Sequence, residues 1–163
     1  MKLLFQLIII STMAGCFGAD PQKTGLEGKP LPEFSLLLPD SATWFNSKNI
    51  PSGKPIAIFY FNPYCPYCKA QTTEIIEDMD KLKNIQFYFV TNYPLMDLKK
   101  FYNEYQLVKY PNITTGVDTG MVVNDYFEIA GVPYIAIYSK NKTLNKTFMG
   151  KIYSSQLKKV AEE

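Results

Sequence analysis

The chain has no histidine among its 163 residues. A Cys–His or Ser–His catalytic pair is therefore excluded, and so is every histidine-bearing metal site. Arginine is missing as well: all 17 basic residues are lysine. No mechanism that needs a bidentate guanidinium clamp is available. Excess charge is also lacking, at +2 net, so nothing points to nucleic acid as a partner. Cysteine is scarce, with three residues, and an odd thiol in an exported protein needs a fate. What the chain does have is 47% hydrophobic and 15% aromatic residues, enough for one packed domain.

The N-terminus opens with Met1-Lys2 and an apolar run from Leu3 to Ala14. That run is too short to span a membrane and has the length of a secretory leader. It ends in Met13-Ala14-Gly15-Cys16, which resembles the bacterial lipobox, with Met13 where leucine is usual. This resemblance implies cleavage before Cys16 and a diacylglycerol on its thiol. The expected division is a lipoprotein-type signal peptide over 1–15, a tether over 16–32 and a folded domain over 33–163. The tether is expected from its Gly, Pro and Lys content and its lack of apolar periodicity. The protein is then expected in the cell envelope, outside the cytoplasm and lipid-anchored to a bacterial membrane.

Residues 33–38 read as a strand, with 43–45 pairing back as a hairpin after Pro39-Asp40-Ser41. The segment 56–61 (IAIFYF) is apolar on both faces, as a central strand should be. Helical spacing follows over 66–83 and again over 95–107. Further strands are expected at 85–91, 112–117 and 134–138, with an edge strand at 146–149. A short helix over 121–129 and a closing helix from Tyr153 complete the set. Strands alternating with helices predict an α/β fold with a central mixed sheet flanked by helices.

The chemistry concentrates at Cys65-Pro66-Tyr67-Cys68. C-x-x-C spacing alone serves either half a zinc site or a redox pair. A structural zinc needs four ligands, and the chain offers neither a second cysteine pair nor any histidine. The context favours redox chemistry, because the pair follows a buried strand and opens a helix. Unpaired N–H groups and the helix dipole favour a thiolate at the first position. Cys65 is thus the expected nucleophile and Cys68, one turn on, the expected resolving thiol. Pro66 suits a first helical position. As a fixed crosslink the pair would close too small a loop to stabilise the fold much. A second element, Gly131-Val132-Pro133-Tyr134, precedes a strong strand, and a cis Val132–Pro133 bond is an expectation there.

The strand IAIFYF, the site FNPYCPYCK, VPY before the next strand and PLPEFSLLLPD together resemble the thioredoxin superfamily. They are most similar to the extracytoplasmic TlpA/ResA-like lipoproteins. The resemblance covers residues 29–163 and implies a thioredoxin-like fold with an N-terminal hairpin and an inserted α/β segment around 92–118. It implies an exposed attacking Cys65 and a buried resolving Cys68. It also implies that Pro66, Tyr67, Val132 and a cis Pro133 shape the site and present backbone to a substrate chain. No cofactor is implied beyond the Cys65–Cys68 disulfide itself. The implied partners are disulfides of exported proteins and, for a reductant, a membrane thiol electron donor.

Two departures stand out. Thioredoxins carry a buried Asp where this chain has Phe59, and ResA-like proteins carry a Glu where it has Gln71. No acid or base is thus assignable to activate Cys68. Strongly oxidising relatives have a histidine between the cysteines; its absence favours a reductant or exchanger. Two other functions compete. One is a peroxiredoxin-like peroxidase, but such sites use Thr or Ser where Asn62 stands, and an arginine. The other is a non-catalytic thioredoxin-fold binding lipoprotein. The three N-x-T sequons, at Asn112, Asn141 and Asn145, read as coincidence in a bacterial lipoprotein.

Overall fold

The computed structural model describes residues 18–163. The proposed leader and Cys16 lie outside the described residues. Eight strands form one sheet: β1 (Pro21–Gln22), β2 (Ser35–Leu37), β3 (Trp44–Asn46), β4 (Ile56–Tyr60), β5 (Gln86–Thr91), β6 (Ile113–Val117), β7 (Tyr134–Tyr138) and β8 (Leu144–Met149). Their order is β1-β8-β7-β4-β5-β6-β2-β3. Five helices accompany them: α1 (Pro66–Glu77), α2 (Met79–Leu82), α3 (Leu95–Glu104), α4 (Val122–Phe127) and α5 (Ser154–Ala161). The sheet is mixed, with β4, β5 and β6 parallel and β7 antiparallel to β4. This is the expected α/β fold.

All five residues of β4 are buried, because the strand is covered on both faces. Ala57 and Phe59 point into one core with Cys68, Ile75, Phe101 and Leu157 of the helices. Ile56, Ile58 and Tyr60 point into the other, with Val123 and Phe127 of α4 and Phe34, Leu36 and Ile50 from around the hairpin. The insertion expected around 92–118 supplies α3 and β6, and β6 separates β5 from the hairpin strands.

Four local expectations need correction. Residues 18–32 are laid along the fold rather than left as a free tether. Ala19 N donates to Lys151 O at 3.0 Å, Gly28 N to Leu144 O at 2.8 Å and Leu31 N to Lys142 O at 3.0 Å. The cause is the exposed edge of β8, whose unpaired backbone groups capture this segment while Leu26 and Leu31 settle against the second core. For the same reason β8 is not an edge strand, since β1 pairs with it through Pro21↔Phe148 and Gln22↔Thr147. The helix expected over 66–83 breaks at Asp78, whose backbone leaves helical angles at φ −98°, ψ 17° and whose carboxylate pairs with Lys81. The helix expected over 95–107 stops at Glu104, and Gln106 turns left-handed at φ 50°, which brings Leu107 into the core.

Two sequons are structurally committed. Asn112 Nδ2 donates to Ile85 O at 2.9 Å and Asn145 Nδ2 to Val160 O at 3.0 Å.

Gly116 on β6 is where β2 crosses closest. A Cβ there would meet Leu36 Cβ at 2.6 Å and Leu37 O at 3.1 Å. We expect Gly116→Ala to lower the unfolding free energy by about 1–3 kcal/mol through overpacking, read as a lower urea midpoint at unchanged slope.

Candidate active site

The loop that carries the cysteines is fixed before α1 begins. Asn62 follows β4, and its Oδ1 accepts from Tyr64 N at 2.8 Å while its Nδ2 donates to Tyr93 OH at 2.7 Å. Its backbone carbonyl accepts from Cys65 N at 3.1 Å. Tyr64 packs edge-on to Tyr93 and donates its OH to Asp97 at 2.6 Å. The loop is therefore braced by two side chains about thirty residues downstream, Tyr93 between β5 and α3 and Asp97 in α3.

Cys65 is the N-cap of α1, with extended backbone angles and no side-chain capping bond. Pro66 occupies the first turn, where its missing N–H costs nothing. Cys65 is half-buried and Cys68 fully buried, and both are free thiols. Tyr67 between them is 68% exposed. The Val132–Pro133 bond is cis. The Cys65 thiol points at Val132 O, 3.8 Å away, which joins the two sequence elements across the top of β4 and β7.

Burial pushes the Cys68 thiol up to about 12. The adjacent Cys65 adds to the rise, and a backbone bond from Asn62 opposes it. The two positions where relatives keep a carboxylate are filled otherwise. Phe59 is fully buried and stacks with Phe61 at 5.4 Å between ring centres. Gln71 is fully buried as well, and its Oε1 accepts from Ile152 N at 2.8 Å. Its Nε2 has no hydrogen-bond partner among the described residues. Gln71 thus bolts α1 to the loop before α5 and offers Cys68 no acid.

One turn further along α1, Glu74 accepts from Ser154 N at 2.9 Å and forms an ion pair with Lys151. Lys151 in turn sits 4.6 Å from the centre of the Tyr153 ring. Sequence reasoning missed this pair, which is separated by 77 residues and carries no motif. Lys151 and Tyr153 line a cavity of about 460 Å³ together with Tyr67, Val132, Pro133, Gly18 and Ala19. Its lining is mostly apolar and includes Val132, whose carbonyl the Cys65 thiol faces. The Tyr67, Val132 and Pro133 side of the site is thus brought together with the cysteines.

Two outcomes follow from the burial difference. In the reduced protein, iodoacetamide modifies Cys65 alone at pH 7–9; Cys65→Ser slows the first modification by about tenfold or more, measured by peptide mass. The second concerns stability. The folded Cys68 value lies above the ordinary 9.0, so the unfolded chain releases this proton first as pH rises. The resulting stabilisation is complete below pH 9 and is lost between pH 9 and about 12. The melting temperature of the reduced protein should fall more steeply across that window than that of Cys68→Ala.

The AhpC/TSA family profile matches residues 28–148. Over 116 residues the chain is 27% identical to an uncharacterized protein of Haemophilus influenzae, covering 68% of this chain and 74% of that one. Its fold is similar to that of a secreted Mycobacterium tuberculosis disulfide oxidoreductase homologous to Escherichia coli DsbE. The TM-score is 0.65 at 17% identity, covering 79% of this chain and 94% of that one. It is also similar to StoA from Bacillus subtilis, with a TM-score of 0.60 at 15% identity over 79% and 96% of the two chains. These neighbours bear out the resemblance to the thioredoxin-like, TlpA/ResA-type fold that the motifs carried. The chain belongs to the AhpC/TSA family.

Proposed function

We propose that this protein is a thiol–disulfide oxidoreductase that acts on disulfides of exported proteins, as a reductant or exchanger, through Cys65 and Cys68. The observation that carries this reading is the unequal pair at the start of α1. One thiol is half-exposed beside the Val132 carbonyl, and the other is buried one turn behind it. In the first step the Cys65 thiolate attacks one sulfur of a substrate disulfide. A mixed disulfide forms and the other substrate sulfur leaves as a thiolate. Cys68 then gives up its proton and attacks the Cys65 sulfur. The substrate leaves as a dithiol and the enzyme keeps the Cys65–Cys68 disulfide. Two electrons have passed to the substrate, and a dithiol donor held in the membrane returns them to the enzyme.

Pro66 and Tyr67 set the spacing and outer face of the pair. Val132 and the cis Pro133 supply backbone against which an extended substrate segment lies, and the apolar cavity beside them receives its side chains. No cofactor enters these steps. The signal peptide over 1–15 and acylation of Cys16 place the enzyme outside the cytoplasm, anchored by lipid to the membrane. Among the described residues no helix is long and apolar enough to cross one. The fold likeness to a protein described as secreted is in keeping with that placement. A peroxidase reading gains nothing from the site, where Asn62 is spent on bracing the loop and no arginine exists to steady a peroxide.

The test is insulin reduction with dithiothreitol as donor. Wild type turns over; Cys65→Ser reduces the rate to background; Cys68→Ser traps a mixed disulfide visible on a non-reducing gel. Equal rates in wild type and Cys65→Ser overturn the proposal. Direction is read from the potential of the couple: near about −270 mV marks a reductase and near about −120 mV an oxidase.

A further inference from the structure

The chain enters the fold at the end of the sheet that carries the cysteines. Because β1 runs antiparallel to β8, stepping back from Gln22 to Pro21 leads toward Met149, where β8 finishes. Ala19 is held there on both sides, with its N–H on Lys151 O and its carbonyl accepting from Gln156 Nε2 at 3.3 Å. Gly18 and Ala19 lie at the cavity that Tyr67, Val132 and Pro133 line. Gly150, at φ +109°, makes this approach close: a Cβ there would stand 3.3 Å from Ala19 Cβ. Two residues back from Gly18 is Cys16, and two residues of fully extended chain reach at most about 7 Å.

The exposed apolar side chains gather at that same end. Tyr64 and Tyr67 flank Cys65. Met96 adjoins Asp97, which holds the Tyr64 hydroxyl. Met121 and Val122 follow the end of β6. Met149 ends β8 against Gly131. Trp44 is registered through Leu37 to Val117, the last residue of β6. Of the eight large hydrophobic residues exposed among the described residues, Val108 alone lies elsewhere. At the opposite end Lys81, Lys83, Lys140 and Lys158 line a cavity of about 530 Å³ together with Asp80, Glu162 and Glu163. Ion pairs occur at both ends: Lys69 with Glu104 at 3.5 Å and Lys151 with Glu74 near the cysteines, Lys81 with Asp78 and Lys158 with Glu162 at the other.

We propose that the cysteine-bearing end of this domain rests on the bilayer surface, so that the pair works on disulfides held at the membrane. The inference rests on acylation of Cys16 as proposed above. An acyl anchor by itself holds a protein to a bilayer but leaves its orientation free; a short connection and an apolar face supply the orientation. Tyrosine and tryptophan side chains are the ones that settle at the membrane–water boundary. Seven exposed large hydrophobic side chains gathered at one end of a domain point to an interaction surface. The opposite end stands off by at least the length of β4, five residues or roughly 17 Å. The expected substrates are therefore disulfides on membrane-held proteins, within reach of a cavity that opens at the headgroups.

Trp44, the chain's single tryptophan, is a built-in probe. Full-length protein, processed in a bacterial host, is reconstituted into phosphatidylethanolamine/phosphatidylglycerol vesicles with or without brominated acyl chains. Trp44 emission should fall about twofold with the brominated lipid, while a Trp44→Phe/Lys83→Trp variant, probing the opposite end, should change little. Unquenched Trp44, or equal quenching at the two ends, overturns the placement. The mass of the N-terminal peptide and co-sedimentation with vesicles report the anchor separately. An acylated, sedimenting protein with unquenched Trp44 sinks this inference alone. An unacylated Cys16 removes the anchor reading, and this placement with it.

Discussion

Tyr60, the last residue of β4, stands opposite Tyr134, the first residue of β7, and the rest of the site depends on that register. Because the two strands are antiparallel, the chain leaving β4 and the chain entering β7 meet at the same edge of the sheet. Cys65 and Val132, 67 residues apart, come within 3.8 Å for this reason. A slip of one residue would turn every side chain of β7 to the opposite face. The slip is blocked because both faces are packed: Ile135 and Ile137 face the helices, while Tyr134, Ala136 and Tyr138 face α4 and the N-terminal segment. Burial in the core thus holds together two elements of the candidate site that share no local sequence.

How much of this was legible in the sequence follows from range. The buried strands at 56–61, 85–91 and 134–138 declared themselves through continuous apolar runs, and Cys65-Pro66-Tyr67-Cys68 through spacing and position. These are local signals. Residues 18–32 read as a tether because their Gly, Pro and Lys content is that of a loop. Their order comes from the free edge of β8, more than 120 residues away, as Pro21↔Phe148 illustrates. Gln71 is spent on Ile152, which lies far down the chain. The Lys151–Glu74 pair is equally non-local. What sequence reading lacked in each case was the partner, and side-chain chemistry alone does not name one.

The place of Gln71 changes how the missing acid is understood. An ionised carboxylate buried at that position would carry a desolvation cost of several kcal/mol. The amide instead satisfies Ile152 N–H without charge and keeps α1 seated against the loop before α5. Phe59 similarly completes an aromatic group with Phe61 and Phe89. The wall behind Cys68 is thus apolar and uncharged, which is the cause of its high proton affinity rather than an accident beside it.

In the free reduced protein the causes that hold the Cys68 proton are burial and then its neighbour Cys65, with the Asn62 backbone acting the other way. Under the proposed mechanism, attack on a substrate converts Cys65 into a neutral mixed disulfide. The raising contribution of Cys65 is then removed. Cys68 therefore becomes easier to ionise at the step that needs its thiolate, and stays protonated when no substrate is bound. Burial still sets the larger part, so ionisation remains costly. A site of this construction trades the speed of release for protection of the resolving thiol. The brace that makes the trade workable is Asn62, which holds its geometry through Tyr64 and Tyr93 whether or not Cys65 is occupied.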